Sequence, residues 1–82
     1  MKKNITIKLF GICQEIASKE EIELQYASTF NSDNLMEELK KQYPDFNKIS
    51  SLSLAINQVY VQQNTEIKAE DEIALIPPVS GG

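Results

Sequence analysis

The stretch "EIALIP", residues 72–77, decides the fold. A carboxylate opens it and a proline closes it, and between them every residue is apolar. A strand with one wet face alternates apolar and polar side chains. An unbroken apolar run of this length predicts a strand buried on both faces, hence one in the middle of a sheet. Antiparallel hairpins alone do not bring a C-terminal strand to the centre. Pairing it parallel to the first strand does.

Upstream segments supply the rest of that sheet. "NITIKLF" (4–10) alternates, with Ile5, Ile7 and Leu9 on one face and Thr6, Lys8 and Phe10 on the other. Gly11 interrupts it, and "ICQEIAS" (12–18) has the spacing of a short helical turn. "EIELQY" (21–26) alternates again, through Ile22, Leu24 and Tyr26. "LSLAIN" (52–57) and "QVYVQQ" (58–63) read as two strands, with Asn57 and Gln58 at the turn between them. "NTEIKAED" is a polar connection anchored by Ile67.

One helix stands out. In "DNLMEELKKQY" (33–43), Leu35, Leu39 and Tyr43 recur every four residues, with Met36 beside them and charged residues opposite. Asn31 or Ser32 is placed to cap it, and Pro44 ends it. A helix of about 11 residues is marginal alone, so it must dock on the sheet. "PDFNKISS" reads as irregular, with one short turn. The predicted class is α+β, with a mixed sheet of about five strands and one main helix across it.

Composition narrows the function. The chain has 82 residues, 41% of them apolar and 24% charged, with a net charge of −4. That suits one small folded domain. All eight cations are lysine, and arginine, histidine and tryptophan are absent. Nucleic acid, which needs a basic face, is disfavoured. So is catalysis by the commonest general base. One cysteine leaves no internal disulfide and no cysteine-rich metal cluster. The first ten residues alternate, unlike a signal peptide, and no apolar run is long enough to span a membrane as a helix. A soluble, cytoplasmic protein is the expectation.

Few side chains suggest chemistry. Cys13 has Ile12, Gln14 and Glu15 as neighbours and no cation to lower its pKa, so a packed core role is expected. Glu70, Asp71 and Glu72 could hold a metal or share a proton, but read better as a solvated turn, or as a patch facing a basic partner. Tyr26, Tyr43 and Tyr60 lie on periodic elements and are expected to pack. The end of the chain is different. Pro77 and Pro78 stop the strand and launch a stiff, extended segment. Val79 and Ser80 follow, then Gly81 and Gly82. Residues 78–82 reach roughly 16 Å at about 3.3 Å each. Glycine has no Cβ, so such a tip fits a narrow channel in a partner. The expected division is a domain over residues 1–77 and an extended arm over 78–82 that ends in a flexible Gly-Gly tail.

"IALIPPVSGG" (73–82) resembles the C-terminus of the molybdopterin synthase small subunit family, the ubiquitin-like sulfur carriers of molybdenum cofactor biosynthesis. "LAINQVYV" resembles the family's strand–Asn–strand unit, "EDEIALIPP" its acidic turn and last strand, and "KLFG" its first strand and successor. The resemblance covers essentially the whole chain and implies the β-grasp fold, with the last strand parallel to the first. It departs at Gln14, where the family often has arginine, and at Glu70, where it commonly has glycine.

The resemblance implies chemistry at the Gly82 carboxylate. An E1-like adenylyltransferase would convert it to an acyl-adenylate, and a sulfur donor would then leave a thiocarboxylate. The arm would thread into the large subunit of a heterotetrameric synthase, with Pro77, Pro78, Val79, Ser80 and Gly81 contacting the partner. There the sulfur would pass to a pyranopterin precursor to build the dithiolene. No permanently bound cofactor is implied, only the transient acyl-AMP or thioglycine at Gly82. Phe10, Leu75 and Pro77 are expected on the face that meets these partners. Two readings stay open beside this one. One is a carrier of the same mechanism serving thiamine or tRNA thiolation. The other is a β-grasp module that binds without covalent chemistry.

Overall fold

The structure is a computed structural model that describes residues 3–26 and 30–78, with the backbone alone at Lys3 and Tyr26. The elements run β1 (Lys3–Leu9), α1 (Ile12–Ala17), β2 (Glu21–Tyr26), β3 (Phe30–Asn31) and α2 (Ser32–Gln42). A 3-10 helix (Pro44–Lys48), β4 (Ser53–Ile56), β5 (Val59–Tyr60), β6 (Glu66–Ile67) and β7 (Ile73–Ile76) follow. Five strands form one sheet in the order β2-β1-β7-β4-β5, and β3 pairs with β6 in a separate two-stranded piece. Strand β7 is central, parallel to β1 through Ile7–Ile73 and Leu9–Leu75 and antiparallel to β4.

Hydrophobic burial on one side of the sheet holds this arrangement together. Ile5, Ile7 and Leu9 of β1, Ile22 and Leu24 of β2, and Ile73 and Leu75 of β7 are all buried. They pack under Leu35 and Leu39 of α2, Cys13 and Ala17 of α1, and Ile67. Phe46, on the 3-10 helix, is also fully buried, with its ring 5.6 Å from that of Tyr43. Its segment is too short to show a period in the sequence.

The start of α2 draws on both ends of the mini-sheet. The Asn31 side chain accepts from the Asn34 N–H at 2.8 Å, as a helix cap should. The Asp33 N–H donates to Asn64 Oδ1 at 3.1 Å, a second cap from a distant loop. Ser32 is buried and accepts from the Thr65 N–H through Oγ at 2.9 Å.

Two turns govern the approach to β7. Asn57 and Gln58 have φ of 53° and 70°, the two positive values that a type I′ hairpin turn demands. The Asn57 side chain then ties this turn to the acidic one. Its Nδ2 donates to Asp71 Oδ1 at 3.0 Å, and its Oδ1 accepts from the Glu72 N–H at 3.0 Å. Asp71 in turn accepts from the Lys68 N–H at 2.8 Å. Asn57→Ala removes these bonds and puts a poor residue at positive φ, so it is expected to cost about 1–2 kcal/mol. Asn57→Gly keeps the backbone freedom and should cost less. Denaturant unfolding of both variants checks the order.

One expectation about β7 is corrected. Ile73 and Leu75 are buried, but Ala74 and Ile76 remain partly exposed. The strand is central without being covered on both faces. Its second face is apolar for another reason, taken up below.

Candidate functional site

The face of the sheet opposite α2 carries no helix among the described residues. Cross-strand register places Glu21, Lys8, Ala74, Ala55 and Tyr60 in one row across it. Small residues at the middle of the row leave a shallow depression of about 370 Å³. Phe10, Tyr60 and Ile76 stand around the alanines, and the Lys8–Glu72 ion pair at 3.5 Å closes one side. Both members of that pair are about half exposed, so it contributes little to stability. Its effect is to mark the edge between apolar and charged surface.

Phe10 and Tyr60 are 46% and 58% exposed, which is costly surface to leave in water. Phe10 lies on the same side of the sheet as Lys8, at the rim of the depression. Tyr60 does not pack, contrary to expectation, because edge strand β5 has no layer beneath its outer face. Tyr43 does pack, against Phe46. The Tyr26 side chain lies outside what the structure describes.

Leu75 is a second correction. It is fully buried on the α2 side, so it belongs to the core and is closed to any partner. Its neighbours Ala74 and Ile76 occupy the open face instead. The strand was placed correctly, but the parity of its side chains was not.

The depression ends at the root of the arm. Ile76 lines it, Pro77 follows half-buried, and Pro78 is exposed. Val79, Ser80, Gly81 and Gly82 lie outside the described residues, so the chemistry expected at Gly82 has no described geometry. Gly11 lies beside that root. Gly11 has φ of +54°, and a Cβ built on it would stand 3.2 Å from Pro77 Cγ.

The other candidates resolve into structural roles. Cys13 is buried, and desolvation raises its pKa, which suppresses the reactive thiolate. Asp71 accepts one hydrogen bond within its turn, from the Lys68 N–H, and one from Asn57 of the hairpin turn, and Glu72 pairs with Lys8. No group of three or more His, Cys, Asp or Glu among the described residues could hold a metal ion. Positive φ among described non-glycine residues is confined to Ser18, Asn57 and Gln58, so Glu70 needs no glycine-like conformation. Gln14 donates through Nε2 to the Leu9 carbonyl at 2.9 Å, stitching α1 to the end of β1. Neither departure from the family's pattern therefore disturbs the backbone.

A central C-terminal strand parallel to the first, one main helix across the sheet and an apolar open face define a small ubiquitin-like β-grasp protein. Residues 7–82 match the model of the ThiS family, and the chain belongs to that family. The molybdopterin synthase sulfur carrier subunit of Dictyostelium discoideum is 38% identical over 86 residues, covering 100% of both chains. The molybdopterin synthase sulfur carrier subunit of Arabidopsis thaliana is 29% identical over 79 residues, covering 95% of this chain and 82% of its own. Among solved structures, SAMP1 from Haloferax volcanii superposes with a TM-score of 0.80 at 22% identity, covering 96% of this chain and 99% of that one.

Proposed function

We propose that this chain is the sulfur-carrier subunit of a molybdopterin synthase, and that its reactive group is the Gly82 carboxylate. The end-to-end match to the Dictyostelium carrier subunit carries this reading. The open face and the arm's root support it physically. An apolar depression that runs directly into the base of an arm lets one docking event seat the body and deliver the tip.

A carboxylate is a weak electrophile, so it must first be activated. ATP supplies AMP to the carboxylate and pyrophosphate leaves. Sulfur delivered as a persulfide displaces AMP, and thiol exchange then frees the thiocarboxylate. That sulfur is ionised near neutral pH and is the nucleophile toward the pterin precursor. The carrier's own side chains take no part. Its described surface offers no nucleophile beside a base, so phosphate binding and proton transfer fall to its partners. Those partners are an E1-like adenylyltransferase and the large synthase subunit. In this reading residues 1–77 fold and residues 78–82 reach out. The setting is the cytoplasm, and no described helix is long and apolar enough to cross a membrane.

Affinity capture distinguishes the recipients. The carrier is expected to retain the large subunit of molybdopterin synthase from an extract of its own cells. Retention of a thiazole-forming or tRNA-thiolating enzyme in its place would move the sulfur to those pathways.

A further inference from the structure

We infer that Gly11 and Pro77 together form a seat that aims the arm, making Gly11 a positioning residue for delivery of the chain's end. This rests on the carrier reading above.

The seat begins with a turn. The Cys13 N–H donates to the Phe10 carbonyl at 3.0 Å, closing a four-residue turn with Gly11 in its second position. Gly11 has φ of 54° and ψ of −132°, the values of that position in a type II′ turn, where glycine is the favoured residue. The turn is further held by the Gln14 N–H, which donates to the Gly11 carbonyl at 3.1 Å, and by Gln14 Nε2 on the Leu9 carbonyl at 2.9 Å.

Parallel pairing brings the arm to this turn. Leu9 pairs with Leu75 at the end of the parallel ladder, and just beyond it Gly11 and Pro77 come together. The bare Cα of Gly11 lets the Pro77 ring settle against it, with Pro77 Cγ 3.2 Å from where a Cβ would stand. A proline ring fixes its own φ, and the proline that follows confines the ψ of Pro77 to extended values, so a ring held at Gly11 sets the direction in which Pro78 departs. Phe10, next to the seat, is on the docking face. Docking and aiming thus share one rigid turn. Delivery starts from this root, and a misplacement of about 1 Å at a reacting group can cost a hundredfold in rate.

Gly11→Ala would push on the Pro77 ring and strain the turn. The test is the kinetics of pyrophosphate release by the E1-like enzyme at varied carrier concentration. KM follows docking of the face, and kcat follows delivery of the tip. Gly11→Ala is expected to lower kcat by about tenfold or more while KM stays within about twofold. Pro77→Ala, which leaves the turn untouched, is expected to lower kcat alone as well. In the Pro77→Ala background, Gly11→Ala should produce no further loss of kcat, although it still lowers the melting temperature. An unchanged kcat for Gly11→Ala overturns the inference. So does an equal loss in both backgrounds, which would assign the effect to turn strain. If Gly11→Ala does not fold, Pro77→Ala tests the same contact, and a wild-type kcat for it overturns the seat. In the free wild-type protein, a nuclear Overhauser effect between Gly11 Hα and Pro77 Hγ is expected. Its absence overturns the seat whatever the enzyme does. If it is present and the wild-type chain is never adenylated, the carrier reading falls and the aiming role falls with it.

Discussion

Deleting Gly82, or extending the chain past it with a C-terminal tag, is expected to abolish sulfur loading while leaving the fold intact. One residue of extended backbone spans about 3.3–3.6 Å. An error of about 1 Å in placing a reacting group costs up to a hundredfold, so a shift three times larger leaves no measurable turnover. A tag does equal harm by converting the carboxylate to an amide. Stability should be spared, because among the described residues the buried core cluster reaches no further along the chain than Leu75. Melting temperatures of the wild type and both variants are expected to agree within about 2 °C, less than the shift from 1 kcal/mol in a domain of this size. A large drop on deletion would mean that the chain's end is part of the core.

Leu75→Ala and Phe10→Asp are expected to fail in opposite ways. Leu75 is fully buried between sheet and helix, and truncating such a side chain costs about 2–5 kcal/mol. A domain of this length holds about 4–12 kcal/mol in total, so the variant loses tens of degrees or unfolds. Phe10 is 46% exposed at the rim of the depression and contributes far less to the core. Phe10→Asp should cost less than about 1 kcal/mol of stability. It should weaken capture of the large subunit by about thirtyfold or more, as expected for an aromatic anchor replaced by a buried charge. Thermal melting and a binding titration read the two effects separately. Equal stability losses in both variants would contradict the assignment of Leu75 to the core and Phe10 to the surface.

These two residues show how the sequence could be read and where it misled. Alternation in "NITIKLF" separates the faces of β1, because Ile5, Ile7 and Leu9 are buried on one side while Lys8 and Phe10 are exposed on the other. Strand β7 has no such contrast. A strand covered on both faces and a strand with one apolar docking face have the same composition, so its place was legible and its parity was not. Leu75 was drawn outward for that reason. The hairpin turn was visible at Asn57 and Gln58, where polar residues interrupt two apolar runs. The cap from Asn64 to α2 bridges 31 positions and has no local signature. The two-stranded β3–β6 piece escaped notice because two-residue strands show no period.

The site followed the same division. The arm was conspicuous because prolines and terminal glycines differ chemically from everything before them. Its root was hidden, since nothing in "LFGI" indicates that Gly11 will meet a proline 66 positions away. Tyr60 was assigned to packing because edge strand β5 carries the same residues as an interior one. Its exposure follows only from the strand order.

The central claim is that the reactive group is the carboxylate of Gly82 and that no side chain substitutes for it. The direct test is intact-mass analysis after incubation with ATP, the E1-like enzyme and a persulfide donor. Exchange of one oxygen for sulfur adds about 16 Da, and fragmentation should place the gain on Gly82. A mass that never changes while the adenylyltransferase demonstrably binds, or a gain of about 32 Da that maps to Cys13 as a persulfide, would contradict the account.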